Sequence, residues 1–441
     1  MVAVSGGSDS VALLALLHEL AKSYPLTLVA AHFDHQLRAT SAADVEFVRN
    51  ICAQLDVPLH VGSEAVSALA SRRGCGLEEA ARFARRNFLE KAAALADCAA
   101  VALGHHQDDQ AETFLYRLIR GSALSGLAAM RYRSGLYVRP LLELASAQLK
   151  EYLQARGLSF VVDESNADHR FARNRIRHEL VPLLQSFNPQ IVPHLNAMAS
   201  RIGCEEDYWQ HEVLRAFSVC GKEQNGEVRF ERGALLALHP ALRMRVLRHG
   251  FIRVRGRIYG LASSHLAAVD AQLCSSVPQS DLALGGAWSC RRYDWLFLRI
   301  EPFFAADSFE VEIDGPGVFP LPDGLVFKVS LGDGAGVEGR RTVEFNAGEV
   351  PFPLRIRSFR NGDRFQPSGM AGHKKVKDFF VDEKISREDR RRIPLVESGG
   401  RIIWIAGWRR CAGLAPKKSG EAVLRLEIFG AAPRPETADK P

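Results

Sequence analysis

The first part of the chain alternates short apolar runs with longer stretches in which apolar residues recur every three to four positions. The short runs predict buried strands, and the longer stretches predict helices with one apolar face. The predicted strands cover residues 1–4, 26–31, 58–61 and 99–103. The predicted helices cover residues 11–22, 42–55, 78–96 and 108–120. Strands that alternate with helices form right-handed βαβ units, so we predict an α/β domain over residues 1–187, with an open parallel sheet and helices on both faces.

The pattern changes after residue 187 and predicts a second, mainly helical domain over residues 188–301. Its predicted elements are helices 196–217 and 235–251, followed by strand-like pieces 288–292 and 295–299.

The rest of the chain has shorter elements. Residues 302–349 begin with a segment rich in proline, glycine and aspartate, which is typical of a linker or a turn-rich ribbon. Short alternating segments around one helix, 374–381, predict a small α+β domain over residues 350–430. The charged, proline-containing segment 431–441 is expected to be a disordered tail.

Composition narrows the class of protein. The 441 residues are 47% hydrophobic and carry a net charge of +6, which is compatible with a nucleic-acid partner but does not indicate one. None of the eight cysteines forms a CxxC pair, so we expect neither a zinc or iron–sulfur site nor a disulfide framework. The absence of an 18-residue apolar stretch and of a basic leader predicts a cytoplasmic protein without a membrane span. Because Met1 falls inside a predicted strand, the sequence leaves open whether the N-terminus lies upstream.

The segment Ser5-Gly6-Gly7-Ser8-Asp9-Ser10 joins the first predicted strand to the first predicted helix. Its glycines allow a tight turn, and consecutive N–H groups at a helix N-terminus favour an anion such as phosphate. Ser10 is expected to cap the helix. Asp9 would repel a bare phosphate, so its presence indicates Mg²⁺ between carboxylate and phosphates. The competing interpretation is an ordinary turn made of turn-forming residues.

Two further polar clusters follow predicted strands, at the sheet edge where α/β proteins bind ligands. One is His32-Phe33-Asp34-His35-Gln36-Leu37-Arg38, and the other runs from Gly104-His105-His106 to Glu112-Thr113. Asp109 and Glu112 are three positions apart and share a helix face. Such carboxylates are often only a solvated face, but beside a nucleotide loop they can bind Mg²⁺ or an ammonium group.

Arginines recur at helical or alternating spacing in several places. Arg82, Arg85 and Arg86 share one helix face, and a solvated basic face accounts for at least one of them. Six more lie between residues 243 and 257: Arg243, Arg245, Arg248, Arg253, Arg255 and Arg257. If five or six of these contacted phosphate, the logarithm of the nucleic-acid binding constant would fall with log salt at a slope of about −3 to −5.

Together these segments resemble the tRNA(Ile)-lysidine synthases, members of the N-type ATP pyrophosphatases. The similar segments are SGGxDS, HxDHxLR, GHHxDDQxET, E-x-A-R-x-x-R and the run from Asp163 to Asn166 followed by Arg173-Asn174-Arg175-Ile176-Arg177. Arg360-Asn361-Gly362-Asp363-Arg364-Phe365 and the lysines from residue 374 resemble the family's C-terminal domain. The family usually has Tyr at Arg86 and Thr at Ser165, so nothing is carried over to Arg86.

The resemblance implies a ligase that uses ATP and Mg²⁺ to adenylate C2 of the wobble cytidine in tRNA(Ile) with a CAU anticodon, and then joins L-lysine there. The implied catalytic residues are Asp34, Arg85, Asp109 and Glu112, of which the three carboxylates help bind lysine. The implied ATP-binding residues are Ser5, Gly6, Gly7, Ser8, Asp9, Ser10, Gly104 and His105, with Asp9 also the Mg²⁺ ligand. The implied tRNA-binding residues are His35, Arg38, Asn166, Arg173, Arg175, Arg177, Arg364, Lys374 and Lys375.

Two alternatives remain open at this point. A tRNA thiolase has the same loop, although the absence of a CxxC pair disfavours it. A catalytically inert tRNA-binding protein is disfavoured because it would not need the acidic residues Asp9, Asp34, Asp109 and Glu112. The sequence also leaves open whether the protein is a monomer or a homodimer.

Overall fold

The computed structural model describes residues 1–36, 41–161, 172–256, 261–333, 339–416 and 422–430. The chain forms two compact units, Met1–Gln210 and His211–Pro441. Among the residues described, no helix has the length and apolar character needed to cross a membrane.

The first unit is built on a six-stranded sheet with the order β3-β2-β1-β4-β6-β5. Its strands are β1 (Val2–Ala3), β2 (Ala30–Asp34), β3 (Leu59–Ser63), β4 (Val101–Ala102), β5 (Arg133–Ser134) and β6 (Tyr137–Val138). All neighbouring strands are parallel except β5 and β6, which form an antiparallel pair at one edge. The predicted parallel sheet is therefore confirmed, with one added hairpin.

Helices connect and cover these strands. They are α1 (Ser8–Leu20), α2 (Ser41–Gln54), α3 (Val66–Arg73), α4 (Leu77–Leu95), α5 (Gln107–Ile119), α6 (Leu124–Leu127), α7 (Ser146–Ala155), α8 (Ala172–Arg175), a π-helix (Ile176–Leu180), α9 (Val181–Phe187) and α10 (Ile191–Cys220).

Side chains of the sheet alternate between two cores, one on each face. On one face, Val2, Ala30 and Ala102 pack in a cluster with residues of α1, α2 and α7. On the other face, Ala31 and Val101 pack with residues of α4. Because both faces are covered, the strands carry mainly apolar residues. The carboxyl ends of the strands are therefore the place left for polar ligand-binding groups.

The first part of the second unit is an antiparallel sheet with three helices. Its sheet has the order β7-β8-β11-β10-β9, and residues of the helices share its apolar core. The elements are β7 (Gly221–Gln224), β8 (Glu227–Glu231), α11 (Arg232–Ala237), α12 (Pro240–Arg255), α13 (Ser263–Cys274), β9 (Gln279–Ala283), β10 (Trp288–Arg292) and β11 (Trp295–Arg299). The two strand-like pieces predicted here are β10 and β11.

The C-terminal part contains two larger sheets and a hairpin. Their orders are β12-β16-β19-β20-β21, β13-β14-β22-β15 and β17-β18. The elements are β12 (Glu310–Ile313), β13 (Gly317–Pro320), β14 (Val326–Asp333), β15 (Thr342–Asn346), β16 (Leu354–Arg357), β17 (Arg364–Phe365), β18 (Lys374–Lys375), α14 (Val376–Asp382), β19 (Leu395–Ser398), β20 (Arg401–Ile405), β21 (Arg409–Arg410) and β22 (Ala422–Phe429), with 3₁₀ turns at Pro322–Gly324 and Asp389–Arg391.

The region 302–349, expected to be a linker or a turn-rich ribbon, holds four of these strands. Phe327 and Phe345 from this region are fully buried, in one core with Ile356, Trp404 and Leu424. Apolar alternation over 326–331 and 342–346 outweighs the turn-forming residues that precede it. The expected tail, 431–441, lies outside the described residues.

Candidate active site

The loop between β1 and α1 is held by its own serines. Gly6 has a φ of +94°, which favours glycine. The Ser10 hydroxyl accepts a hydrogen bond from the Ser5 N–H (3.1 Å) and donates one to the Gly7 carbonyl (2.9 Å). Gly7, not Ser10, is the N-cap of α1, so the expectation that Ser10 caps the helix is wrong. Ser10 instead lies inside the first turn and fixes the loop onto it.

Gly104 follows β4 and packs directly against this loop. A Cβ atom at Gly104 would lie 3.1 Å from the carbonyl carbon and oxygen of Asp9 and from the Ser10 nitrogen. That separation is shorter than ordinary van der Waals contact, so only glycine fits without displacing backbone. Residues 9 and 104 are far apart in the sequence, and this packing brings them together in the fold.

His106 joins the loop to α5. Its Nε2 atom lies 3.5 Å from Asp9 Oδ2 and 3.4 Å from Asp109 Oδ2, and its Nδ1 lies 3.3 Å from Asp108 Oδ2. Burial alone would lower the pKa of His106. The surrounding carboxylates, first Asp108 and then Asp9 and Asp109, outweigh burial and raise that pKa to about 10. These carboxylates favour the protonated form of His106, a role that sequence reasoning did not assign to it.

Asp9 depends on the same contact. Burial opposes ionisation of its carboxylate, but the hydrogen bond and positive charge of His106 lower its pKa below the usual value. Asp9 also accepts a hydrogen bond from the Ser8 hydroxyl (3.2 Å). The site thus keeps an ionised carboxylate at the start of α1.

Asp109 and Glu112 are buried on α5 and are paired with two arginines. Arg173 donates to Asp109 (Nη2–Oδ1, 2.8 Å) and Glu112 (Nε–Oε2, 2.9 Å). Arg177 donates to Asp109 (Nη2–Oδ1, 3.2 Å) and Glu112 (Nε–Oε1, 2.5 Å). We call these four side chains the carboxylate–arginine cluster. Two expected lysine-binding residues and two expected tRNA-binding residues are therefore partners of each other.

His105 lies beside this cluster and differs from its neighbour His106. Burial, together with the charges of Arg139, Arg173 and Arg85, lowers its pKa to about 4 despite the nearby carboxylate of Asp109. Its Nδ1 atom is buried and has no hydrogen-bond partner among the described residues. A neutral imidazole with one unsatisfied nitrogen is suited to hydrogen-bond a ligand.

Asp34 ends β2, at the same sheet edge as the loop and Gly104. Its carboxylate accepts a hydrogen bond from the Gln36 N–H (2.8 Å). His32 is buried within β2, and its Nδ1 lies 2.8 Å from the Val4 carbonyl, so it joins β2 to the loop region. His35 packs edge-on against Phe33.

Arg85 lies on α4 and is exposed. The protein around it, and the charges of Arg82 and Arg173, lower its pKa. Arg175 is also exposed and pairs with Glu179 (3.3 Å), outside the cluster formed by its neighbours Arg173 and Arg177.

The comparisons with known proteins cover nearly all of the chain. Family models described as PP-loop domain, TilS substrate binding domain and TilS substrate C-terminal domain match residues 1–184, 230–297 and 354–428. The tRNA(Ile)-lysidine synthase of Geobacter sulfurreducens is 40% identical over 437 residues, covering 97% of this chain and 92% of that protein. The tRNA(Ile)-lysidine synthase of Geobacillus kaustophilus is 32% identical and covers 97% and 94%. A solved structure described as the TILS C-terminal domain is 31% identical over 28% of this chain and 96% of that one, with a TM-score of 0.26.

The chain belongs to the tRNA(Ile)-lysidine synthase family.

As a member of the PP-loop family, the protein uses ATP. The described residues contain no group of three or more His, Cys, Asp or Glu side chains arranged to hold a metal ion. Mg²⁺ in nucleotide enzymes is commonly held by one or two carboxylates and the substrate phosphates, and the ionised Asp9 fits that arrangement.

The family's expected basic residues in the C-terminal part lie on one hairpin. Arg364 pairs across the strands with Lys375, and both side chains are exposed. Like charges directly opposite each other are unfavourable, so an anionic partner would stabilise this pair. Lys374 forms an ion pair with Asp382.

Two arginines of α12 are paired within the protein. Arg243 is buried and donates to Asp270 (Nε–Oδ1, 2.6 Å) and to the Leu238 carbonyl (3.2 Å). Arg253 pairs with Glu223 (2.7 Å). Arg38, Asn166 and Arg257 lie outside the described residues.

Proposed function

We propose that this protein joins L-lysine to C2 of the wobble cytidine of tRNA(Ile) with a CAU anticodon, in a reaction that consumes ATP. The modified base then pairs with adenine, which changes codon reading from AUG to AUA. The observation that carries the proposal is 40% identity to a tRNA(Ile)-lysidine synthase over 97% of the chain. The reaction takes place in the cytoplasm.

In the first step, the C2 oxygen of cytidine attacks the α-phosphorus of ATP and pyrophosphate leaves. The N–H groups and hydroxyls of residues 5–10 bind the phosphates, and Gly104 holds this loop in place. His105 offers its unpaired Nδ1 to the nucleotide, and Arg85 offers its guanidinium group to the phosphates. Asp9 would hold Mg²⁺, which would offset negative charge on the phosphates.

In the second step, the lysine ε-amine forms a bond to C2, the C2–O bond breaks and AMP leaves. The free amine has a pKa of about 10.4, so producing its neutral form at pH 7 costs about 4–5 kcal/mol. A carboxylate must therefore accept a proton during the attack. Asp109 and Glu112 already accept four guanidinium hydrogen bonds, whereas Asp34 accepts one from backbone. We assign the proton to Asp34.

The carboxylate–arginine cluster binds lysine by exchange. Two carboxylates and two guanidinium groups balance in charge, so an entering ammonium group must replace at least one arginine contact. Arg173 and Arg177 are 47% and 34% exposed, whereas Glu112 is 2% exposed. The arginines can therefore swing toward solvent, where tRNA phosphate offers them another partner.

The remaining tRNA contacts come from residues outside the carboxylate–arginine cluster. Arg364 and Lys375 on the β17–β18 hairpin bind phosphates of the tRNA, with Lys374 next to them. His35, Arg38, Asn166 and Arg175 contact the tRNA near the catalytic unit. We leave the oligomeric state open between a monomer and a homodimer.

The test is transfer of radiolabelled lysine to unmodified tRNA(Ile) with a CAU anticodon, in the presence of ATP and Mg²⁺. Glu112→Gln should raise the KM for lysine at least about tenfold, because a charged contact is worth about 1.5–3 kcal/mol. With ATP present and lysine absent, addition of tRNA should still release pyrophosphate in this variant. Glu151→Gln, an exposed change on α7, is the matched control and should behave as wild type.

Each alternative gives a different result. Pyrophosphate release without lysine incorporation by the wild-type protein would favour another nucleophile, as in a thiolase. Binding of tRNA with neither signal would favour an inert binding protein.

A further inference from the structure

Four arginines of the catalytic unit have no carboxylate partner among the described residues: Arg82, Arg85, Arg117 and Arg139. Other arginines of this unit form ion pairs, including Arg72 with Glu64 and Arg156 with Glu19. Unneutralised guanidinium groups repel one another, so a cluster of them costs free energy unless an anion binds.

Backbone carbonyls hold two of these side chains in place. Arg117 donates from Nη1 to the carbonyls of Gly126 (2.6 Å) and Ala129 (3.0 Å). Arg139 donates from Nη1 to the Arg131 carbonyl (2.8 Å), and its buried Nε has no hydrogen-bond partner in the part of the chain that the structure describes. Carbonyls fix the position of a guanidinium group without cancelling its charge, which prepares it for an anionic ligand.

Hydrogen bonds bring together the elements that carry three of these arginines. Arg117 and Arg139 are both held by carbonyls of residues 126–131. Helix α4, which carries the exposed Arg82, contacts β6 next to Arg139, because the Tyr137 hydroxyl donates to the Arg86 carbonyl (3.4 Å). Desolvation and then the charge of Arg82 lower the pKa of Arg117 and of Arg139, in agreement with this arrangement.

We propose that Arg82, Arg117 and Arg139 form a second phosphate-binding site, which takes a phosphodiester of the RNA next to the base being modified. The inference rests on the proposed function, because it takes the RNA to be a tRNA. It adds three residues to that function, none of which has an assigned role above.

Position favours RNA over the pyrophosphate of ATP as the ligand. The phosphate loop adjoins the N-terminal end of α5, through His106 and Asp9. Arg117 lies five residues beyond Glu112 on that helix, which adds a rise of about 7.5 Å. The pyrophosphate already has backbone donors at the loop, whereas a nucleotide reaching ATP with its base must place its own backbone phosphate farther out.

The experiment measures tRNA binding and MgATP binding separately. Fluorescence anisotropy gives the tRNA affinity at several salt concentrations, without ATP or lysine, and calorimetry gives the MgATP affinity without tRNA. The variants are Arg82→Gln, which loses no described contact, and Arg139→Gln. Arg49→Gln is the matched control, because it removes one exposed guanidinium group from α2, which packs on the opposite face of the sheet.

We expect Arg82→Gln and Arg139→Gln to weaken tRNA binding about tenfold, and to reduce the salt slope by about 0.7 per lost contact with single-stranded RNA. MgATP affinity should stay unchanged, as should thermal unfolding of Arg82→Gln. Weaker MgATP binding with unchanged tRNA binding would assign the cluster to the triphosphate and overturn the proposal. An equal loss in Arg49→Gln, or no loss in either variant, would also overturn it. Because binding is measured without turnover, failure to form lysidine would not affect this result.

Discussion

At the scale of single residues, the pKa values of two adjacent histidines shift in opposite directions because their surroundings differ. Carboxylates raise the pKa of His106 to about 10, whereas burial and arginines lower the pKa of His105 to about 4. The surroundings of His106 therefore favour its protonated form, between Asp9 and Asp109, whereas those of His105 favour the neutral form, which suits a ligand contact. The dipeptide His105-His106 in the sequence carries no sign of this division.

His105 makes stability depend on pH in a predictable direction. Its folded-state pKa of about 4 lies below its unfolded value of about 6.5, so only the unfolded state binds a proton between those limits. Stability from this group is full above pH 6.5 and is lost as pH falls toward 4, by at most about 1.4 kcal/mol per pH unit. We predict a shallower loss of stability over this range in His105→Gln, measured by urea unfolding. Parallel curves for the two proteins would contradict the assignment.

Gly104 is predicted to be irreplaceable for a steric reason. In Gly104→Ala the new Cβ would meet the Asp9 backbone at 3.1 Å and shift the phosphate loop. We expect a loss of about 1–3 kcal/mol in stability and weaker MgATP binding by calorimetry.

The matched control is Gly203→Ala in α10, where a Cβ meets no atom within 4 Å. That change should stabilise the protein by about 0.5–1 kcal/mol and leave MgATP binding unaltered. Equal behaviour of the two alanine variants would show that Gly104 does not restrict the loop.

At the scale of elements, α5 organises the catalytic site. Its first turn contributes His106 at the N-cap and Asp109, its second contributes Glu112, and its far end contributes Arg117. The helix thus runs from the phosphate loop, past the carboxylate–arginine cluster, to the second proposed phosphate site. Groups proposed to bind the nucleotide, lysine and RNA therefore follow one another along a single helix.

Helix α12 shows that a row of arginines need not be an RNA-binding face. Arg243 is buried against Asp270, so Arg243→Met should lower stability by about 3 kcal/mol, because it leaves a carboxylate without its partner. We predict that the salt slope for tRNA binding is unchanged in Arg243→Met.

Arg364→Gln should have the opposite effects. The salt slope for tRNA binding should fall by about 0.9, with little loss of stability. Anisotropy titrations and urea unfolding of both variants distinguish the two roles.

At the scale of the whole molecule, the catalytic unit includes the start of α10, a helix that follows the alternating strands and helices. The first compact unit ends at Gln210, within α10. Val192 and Leu195 of α10 pack with Phe114 and Leu115 of α5 in one buried cluster. The start of α10 therefore supports the helix that carries the site.

A fragment of residues 1–210 should accordingly fold, whereas a fragment of residues 1–185 should not. The shorter fragment exposes the apolar residues of α5 that α10 covers, and it loses the Asn196 hydrogen bond to the Gln107 carbonyl (3.0 Å). We expect cooperative urea unfolding and MgATP binding for 1–210 only. Equal stability of the two fragments would show that α10 is not part of the catalytic unit.

The alternation of strands and helices, the phosphate loop and the clusters at the strand ends follow from the sequence alone. These features are local: the periods of helices and strands, and the glycine and serine residues of a turn, act within a few positions. The positions of β10 and β11 are read directly from alternating residues. The family resemblance rests on the same short segments.

Which charges face each other depends on the tertiary fold. Arg173 meets Glu112, 61 positions earlier in the chain, Arg243 is buried, and strands β12 to β15 join a core. Each outcome depends on the fold bringing distant segments together, and on whether burial leaves a charge with a partner. Periodicity reports which face of an element is apolar, but the partner of a buried charge is fixed by packing between elements that are far apart in the chain.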